Sequence, residues 1–342
     1  MENAPQRSDA PRVLVVKLSS LGDLLHALPA VHALRRGLAA RIDWVTHEAY
    51  RELVQCFDDV DRVLVWHRQA GPRQRLADLR ALRTETYDWI IDLQGILKSA
   101  LVTRLARGRR RIGPSFHREA SHWFYNSVAG VRHKERHAIA ESLDISAYLH
   151  LPSQAPVFPM TFPLQLVSEP RPRVALVPCT RWPSKNWPLA SFVELGRLLQ
   201  EQLNAALFLL GGAADAAACE ALARDLPAPL VNLAGRCSLP QLGGILREMD
   251  LVISNDSGPM HLAAALSIPV LAIFGPTDPV RTGPYGAGHR VLRTALECQP
   301  CFQRQCTFGD TGCLRALTPA MVFSAAREML LSARALGDEP AP

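Results

Sequence analysis

The chain has 342 residues, 48% of them hydrophobic and 20% charged, so it can form two domains with their own cores and is too apolar for general disorder. Its net charge is +6, and the whole excess lies in residues 1–160, which hold 23 Lys and Arg against 17 Asp and Glu, whereas residues 161–342 hold 15 of each. No apolar stretch reaches the ~20 residues of a membrane span and the polar N-terminus has no apolar signal core, so we expect a cytoplasmic protein.

Strand-like and helix-like segments alternate through the first half of the chain. Apolar runs predict strands and amphipathic runs predict helices. The predicted strands are 13–16, 42–46, 62–66 and 87–95, and the predicted helices begin near residue 23 and cover about 48–56, 75–83 and 97–108. This alternation is typical of parallel strands joined by crossover helices.

The first strand runs into the turn of "VVKLSSLGDLLHALPAVHALRR", residues 15–36. A strand, a polar turn and a helix start make a common phosphate-binding arrangement. The turn has only one glycine, Gly22, and the acid that follows it, Asp23, would repel a diphosphate. The pattern therefore predicts a carboxylate at a strand end rather than a phosphate site.

A strongly basic segment follows the fourth strand. Seven basic residues and no acid lie between Asp92 and Glu119. Such a segment suits an anionic partner such as a phosphate, a carboxylated sugar, an acidic membrane surface or a nucleic acid. A solvated helix face followed by a basic loop is the alternative.

Six prolines in residues 151–172 predict a linker, because proline at this density disfavours both helices and central strands. We place the domains at 1–160 and 161–342. Beyond the linker the alternation resumes with strands at 173–178, 205–212, 230–235, 250–254 and 269–275, and helices at 187–203, 215–226, 238–249, 259–267 and 318–336.

Polar turns at strand ends in the second half favour a diphosphate site. In "LVISNDSGPMHLAAAL", Asp256, Ser257 and Gly258 lead into a helix whose start offers backbone N–H groups and the imidazole of His261. A helix cap is the simpler reading of the acid or the serine alone. The next strand end, "FGPTDP", adds Thr277.

Two further strand ends belong to the same edge of the predicted sheet. "VPCTRWPSKNWP" brings Thr180 and Lys185 to the carboxyl end of a parallel strand, where one can donate to phosphate oxygen and the other can neutralise its charge. "LLGG" ends in Gly211 and Gly212, and Asp215 after it either reaches a ribose hydroxyl or caps the helix.

Four of the eight cysteines are clustered in "CQPCFQRQCTFGDTGC". These are Cys298, Cys301, Cys306 and Cys313. In a chain without a secretion signal, this spacing favours a structural tetrathiolate metal site or a set of reduced, redox-sensitive thiols.

Several separate blocks, in order from about residue 11 to 330, resemble the lipopolysaccharide core heptosyltransferases of glycosyltransferase family nine. They are the Asp23 block, "DLQGILKSALVTRLA", "FYN", "TRWPSKNWP", "SNDSGPMHLAAAL" and "FGPTDP". The second and third look most like heptosyltransferase I, which adds the first heptose to the 3-deoxy-octulosonate (Kdo) of Kdo₂–lipid A.

The resemblance implies a GT-B fold, in which two Rossmann-like domains face each other across a cleft; in this fold the last helix, here 319–336, can pack back on the N-terminal domain. It implies inverting transfer from ADP-L-glycero-β-D-manno-heptose without a cofactor, with Asp23 as general base. The implied donor-binding residues are Thr180, Lys185, Gly211, Gly212, Asp215, Asp256, Ser257, Gly258, His261 and Thr277. The implied acceptor-binding residues are Ser19, Ser20, Gly22, Lys98 and Arg118. The implied partner is an anionic glycolipid at the cytoplasmic face of the inner membrane, with peripheral contact between protein and membrane.

The cysteine cluster departs from the heptosyltransferase I pattern and is similar to segments of other branches of the family, including protein-modifying heptosyltransferases. The acceptor of a heptosyltransferase II or III, or a protein, therefore stays open, as does a non-catalytic module that binds a nucleotide sugar or a glycolipid. An NAD-dependent oxidoreductase is disfavoured because no GxGxxG follows a strand. We expect no nucleic-acid partner, because the basic segment lacks interleaved aromatic residues.

Overall fold

The computed structural model describes residues 10–133 and 135–337, which divide into two compact units with the boundary between Thr161 and Phe162. Each unit is built on its own six-stranded parallel sheet. Within the described residues, no helix has the length and apolar character needed to cross a membrane.

The first unit alternates strands and helices from its first described residues. Its strands are β1 (Arg12–Val16), β2 (Arg41–Thr46), β3 (Arg62–Val65), β4 (Tyr87–Asp92), β5 (Gly108–Pro114) and β6 (Ser127–Ala129). Its helices are α1 (Leu21–Leu38), α2 (Arg51–Val54), α3 (Pro72–Leu82), α4 (Leu97–Leu105) and α5 (Ala138–Tyr148). The strand order is β3-β2-β1-β4-β5-β6, with all neighbours parallel.

The second unit repeats this topology. Its strands are β7 (Arg173–Val177), β8 (Ala206–Leu209), β9 (Leu230–Asn232), β10 (Leu251–Asn255), β11 (Val270–Phe274) and β12 (Arg290–Arg293). Its helices are α6 (Leu189–Leu203), α7 (Ala216–Arg224), α8 (Leu239–Leu246), α9 (Gly258–Ala265), α10 (Pro279–Thr282), α11 (Gly312–Arg315) and α12 (Pro319–Gly337). The order β12-β11-β10-β7-β8-β9 is again all parallel.

Both sheets follow the doubly wound order 3-2-1-4-5-6 when strands are counted within each unit. In such sheets the strand order reverses between the first and fourth strands, and ligands bind outside the carboxyl ends at that point. The reversal lies between β1 and β4 in the first unit and between β7 and β10 in the second. The α/β fold class predicted from the sequence is confirmed.

Strand β5 was not expected from the sequence, because "GRRRIGP" reads as a basic loop. It pairs with β4, and a Cβ on Gly108 would lie 2.6 Å from the carbonyl oxygen of Tyr87, so glycine permits the close approach. Arg111 donates to the carbonyl oxygens of Thr103 (3.2 Å) and Ala106 (3.1 Å) at the end of α4. Part of the basic segment is therefore structural.

The last helix, α12, packs against α6, and its buried side chains belong to the core of the second unit. That residues 319–336 also pack back on the N-terminal domain stays a prediction. Those side chains are Val322, Phe323, Ala325, Ala326 and Leu330. Their apolar surface is covered by leucines of α6, so we assign the helix to the second unit.

Candidate active site

Asp23 lies in the first turn of α1, directly after the carboxyl end of β1. Its Oδ2 accepts the backbone N–H of Ser20 at 2.9 Å and the hydroxyl of Ser20 at 2.6 Å. The backbone bond is one half of a capping box. The side chain remains exposed, so the carboxylate is oriented by local bonds and still accessible.

The turn that carries Asp23 is held by the "DLQG" block at the end of β4. The side-chain oxygen of Gln94 accepts the backbone N–H groups of Leu18 at 2.8 Å and Ser19 at 3.2 Å. Because β1 and β4 are neighbours, these bonds join the two strand ends at the point where the strand order reverses. Sequence reasoning missed the role of Gln94, although its place after an apolar strand was a usable signal.

Asp92, the last residue of β4, holds the turn that contains Gln94. It is buried; its Oδ1 accepts the N–H groups of Gln94 (2.7 Å) and Gly95 (3.0 Å), and its Oδ2 accepts the hydroxyl of Tyr125 at 2.8 Å. Burial raises the pKa of Asp92, and these hydrogen bonds act in the opposite direction. The "FYN" block thus contributes to the site through its tyrosine.

Lys17 is a second residue that sequence reasoning missed. Its ammonium group is buried beside the turn and donates to the carbonyl oxygen of Leu93 at 2.6 Å. Burial lowers the pKa of Lys17, the charges of Asp23 and Asp92 raise it, and the charge of Arg118 lowers it further. The structure therefore places a buried positive charge within electrostatic reach of Asp23.

The predicted acceptor residues lie around this turn. Ser19, Ser20 and Gly22 belong to it, and Arg118 donates its backbone N–H to the carbonyl oxygen of Gly95 at 2.8 Å. The side chains of Arg118 and Lys98 are both exposed, the latter in the first turn of α4. This part of the first unit combines an accessible carboxylate with exposed positive charge.

In the second unit, three sequence blocks converge on Asp256. Lys185 Nζ lies 2.6 Å from Asp256 Oδ2, the hydroxyl of Thr277 donates to the same oxygen at 2.7 Å, and His261 Nε2 lies 4.0 Å from Oδ1. Asp256, His261 and Thr277 are buried, and Lys185 is mostly so. These residues follow β7, β10 and β11, so the parallel sheet places side chains from three separate parts of the sequence next to one another.

The remaining predicted donor residues make local bonds. The hydroxyl of Thr180 donates to the carbonyl oxygen of Trp182 at 2.9 Å, and the hydroxyl of Ser257 lies 2.9 Å from that of Ser254. Ser257 precedes α9, and Gly258 is its first residue. Asp215 accepts the N–H of Gly212 at 2.8 Å, in the turn that Gly211 begins. This is a capping bond, one of the two roles predicted for Asp215.

The four clustered cysteines line one cavity of about 530 Å³, together with Ser184 and Pro276. Burial raises the pKa of Cys313, and the charges of the other three thiols raise it further. Four soft sulfur donors suit zinc or iron. However, no group of three or more His, Cys, Asp or Glu side chains in 10–133 and 135–337 is arranged to hold a metal ion, so the tetrathiolate site stays a prediction.

The cysteine segment is joined to the Lys185 turn. The hydroxyl of Ser184 donates to the carbonyl oxygen of Gln303 at 2.6 Å. The guanidinium carbon of Arg304 lies 5.4 Å from the centre of the Trp182 ring, and Lys185 Nζ lies 4.7 Å from it. Trp182 and Arg304 were not predicted as site residues, because the contact between them joins positions more than a hundred residues apart in sequence.

The family model "Glycosyltransferase family 9 (heptosyltransferase)" matches residues 75–311, well over half of the chain. This chain belongs to glycosyltransferase family 9. It is 30% identical to the lipopolysaccharide heptosyltransferase 1 of Pseudomonas aeruginosa PAO1, over 95% of this chain and 99% of that protein. It is 32% identical to the enzyme of the same name from Salmonella typhimurium, over 80% and 92%.

Solved structures of heptosyltransferases share the fold of this family 9 chain. Escherichia coli heptosyltransferase WaaC with ADP superposes with a TM-score of 0.76 at 28% identity, covering 93% of this chain and 99% of that one. E. coli ADP-heptose heptosyltransferase II gives 0.79 at 26% identity, covering 94% and 99%. The chain is therefore a glycosyltransferase of the GT-B fold class, as predicted from the sequence blocks.

Proposed function

We propose that this enzyme transfers heptose from ADP-L-glycero-β-D-manno-heptose to the Kdo of Kdo₂–lipid A in the lipopolysaccharide inner core. Two relatives that it matches over most of their length are lipopolysaccharide heptosyltransferase 1 enzymes. A structural neighbour at 27% identity was solved with ADP-2-deoxy-2-fluoro heptose. The observation that carries catalysis, rather than binding alone, is the exposed carboxylate of Asp23, held by two bonds from Ser20.

In the proposed reaction the acceptor hydroxyl oxygen attacks the anomeric carbon of the heptose from the face opposite the diphosphate. The bond between that carbon and the diphosphate oxygen breaks, its electron pair leaves with ADP, and Asp23 takes the hydroxyl proton. Hydrogen bonds from Ser20 fix the carboxylate, so less reorganisation is needed when the proton moves.

The second unit supplies the positive charge that the leaving ADP requires. An ammonium group has three N–H donors, so Lys185 can keep its bond to Asp256 and donate to the diphosphate. The start of α9, with Ser257 and Gly258, adds backbone N–H groups and the positive end of the helix dipole. We propose that Asp256 and His261 orient the donor beside these groups, with Thr180, Thr277 and the Gly211–Gly212 turn completing the donor site, and that transfer needs no cofactor.

The acceptor is an anionic glycolipid, and we propose that Ser19, Ser20, Gly22, Lys98 and Arg118 contact it. Exposed positive charge suits Kdo carboxylates and lipid A phosphates. We propose further that the enzyme works at the cytoplasmic face of the inner membrane in peripheral contact with it.

An acceptor panel with ADP-heptose tests the function. The expected result is transfer to Kdo₂–lipid A and little or none to heptosylated core or to protein. Because the cysteine segment resembles segments of other branches of the family, including protein-modifying ones, heptosylated core and protein are the relevant competing acceptors. Preference for heptosylated core would replace the proposal with a heptosyltransferase II-type activity.

We also propose that Cys298, Cys301, Cys306 and Cys313 hold a structural metal after small movements of the segment. The four thiols already share one cavity. Elemental analysis of protein purified without added metal should find about one zinc or iron per chain, lost in Cys301→Ser. A metal-free protein of normal stability would end this proposal.

A further inference from the structure

Helix α4 carries leucines on its outer face. Leu97, Leu101 and Leu105 are spaced four residues apart, so they lie on one side of the helix, and they are 39%, 42% and 37% exposed. The opposite side, with Ser99, Ala100, Val102 and Thr103, is the buried one. An exposed stripe of leucines on a helix that buries a serine, an alanine and a threonine is unusual in a protein that contacts only water.

A tryptophan extends this stripe. Trp123 is 81% exposed, in the short turn Ser121–Phe124 that packs against α4. This turn is fastened to the start of the helix, because the hydroxyl of Ser121 donates to the carbonyl oxygen of Gly95 at 3.1 Å. Tryptophan favours the boundary between apolar and polar phases, where its ring is buried and its N–H is solvated.

Positive charges border the leucines. Lys98 and Arg104 lie on the same exposed side of α4, Arg107 follows the helix, and Arg118 precedes the Trp123 turn; all four side chains are exposed. The nearby acid, Glu119, accepts the backbone N–H of Leu97 at 3.2 Å. Apolar residues flanked by basic ones match an anionic lipid surface, where leucine and tryptophan enter the headgroup region and Lys and Arg meet lipid phosphates.

The stripe is continuous with the candidate active site. α4 begins two residues after Gly95, in the turn whose Gln94 holds the Asp23 turn. A membrane bound at this face would present glycolipid headgroups to the same end of the sheet. We propose that the face formed by Leu97, Leu101, Leu105 and Trp123, bordered by Lys98, Arg104, Arg107 and Arg118, docks the enzyme on an anionic bilayer; this rests on the proposed glycolipid acceptor.

Vesicle co-sedimentation tests the docking face with the full-length protein. The variant Leu101→Gln/Leu105→Gln removes apolar character without touching a proposed binding residue. Its control, Leu189→Gln/Leu331→Gln, changes two exposed helix leucines of the second unit. On vesicles rich in phosphatidylglycerol, the face variant should bind about tenfold more weakly than the wild type and the control. Vesicles of phosphatidylcholine alone should bind the wild type weakly.

Three outcomes would overturn the proposal: equal vesicle binding by the face variant and the wild type, no wild-type binding to anionic vesicles, or a dimer of the wild type that the face variant loses while vesicle binding persists. The last would make the face a contact between two copies. Transfer to a deacylated, water-soluble Kdo acceptor should be equal in all three proteins. If the wild type did not transfer heptose to this soluble acceptor, the proposed function would be contradicted, but the vesicle-binding result would still test the docking face.

Discussion

The carboxylate of Asp23 has both a structural and a chemical reason to be where it is. As the third residue of α1 it accepts the N–H of Ser20, which would otherwise lack an intrahelical partner. Helix capping alone explains this hydrogen bond, but a glutamate or glutamine at the same position would cap the helix equally well. The exposed carboxylate beside buried Lys17 is what favours a catalytic role.

At Lys185, a matched pair of variants separates donor binding from general charge. Lys185→Met should weaken ADP binding by about ten- to a hundredfold, because a charge-assisted hydrogen bond contributes ~1.5–3 kcal/mol. The control, Arg224→Met, removes an exposed positive charge from α7 and should leave ADP binding unchanged. Isothermal titration calorimetry gives both constants, and equal ADP affinity in Lys185→Met and wild type would remove Lys185 from the donor site.

At Lys17, the lowered pKa predicts a specific pH dependence of stability. Between the folded pKa and the ordinary value of 10.5, the unfolded chain binds more protons at this residue than the folded one, so stability rises with pH. Lys17→Met lacks this contribution. Urea unfolding from pH 7 to 10 should therefore show the wild type gaining stability relative to Lys17→Met as pH rises; a constant difference would contradict a burial-depressed pKa.

Among the elements, the contact between the ends of β1 and β4 fixes the Asp23 turn. Gln94→Ala leaves the N–H groups of Leu18 and Ser19 without their acceptor, and the turn should loosen. We expect about tenfold lower kcat with a small change in KM for ADP-heptose, because misplaced catalytic groups cost turnover more than binding. Gln94→Glu keeps the accepting oxygen and should retain most of the activity. Equal losses in both variants would point to a role other than accepting these bonds.

Helix α12 should stabilise the second unit. Phe323 is buried in the core of that unit, and Phe323→Ala should lower the free energy of unfolding by about 3 kcal/mol. Met321, half exposed two positions earlier on the same helix, supplies the control Met321→Ala, which should change stability by less than about 1 kcal/mol. Chemical denaturation measures both, and similar small effects would contradict the assignment of α12 to this core.

For the whole molecule, the alternation of strands and helices was predictable because buried parallel strands are short apolar runs. β1, β7, β10 and β11 are almost entirely buried, and each was predicted from its hydrophobic residues. β5, β6 and β12 were missed; in β5 and β12, Arg109–Arg111 and the two terminal arginines conceal the strand pattern, and β6 is only three residues long. Local composition cannot reveal a strand that is stabilised by pairing with an already formed sheet.

The candidate site was predictable where residues lie at strand ends, and less so where distant contacts define it. Asp23, Lys185 and Asp256 each follow a strand, so topology alone brings them to the ligand-binding ends of the sheets. The 2.6 Å Lys185–Asp256 pair and the packing of Arg304 on Trp182 depend on tertiary folding. Lys17 was overlooked because a charged residue at a strand end is expected to be solvated, whereas this one is buried.

In the proposed mechanism the second unit binds the donor and Asp23 of the first unit removes the proton. The direct measurement compares heptose transfer to Kdo₂–lipid A by the wild type and Asp23→Asn, with ADP-heptose affinity measured in parallel; Asp58→Asn, an exposed aspartate of the same unit, is the control. We predict at least about a hundredfold loss of kcat in Asp23→Asn alone, with donor affinity unchanged in all three proteins. Transfer by Asp23→Asn at the wild-type rate would contradict the role of Asp23 as general base.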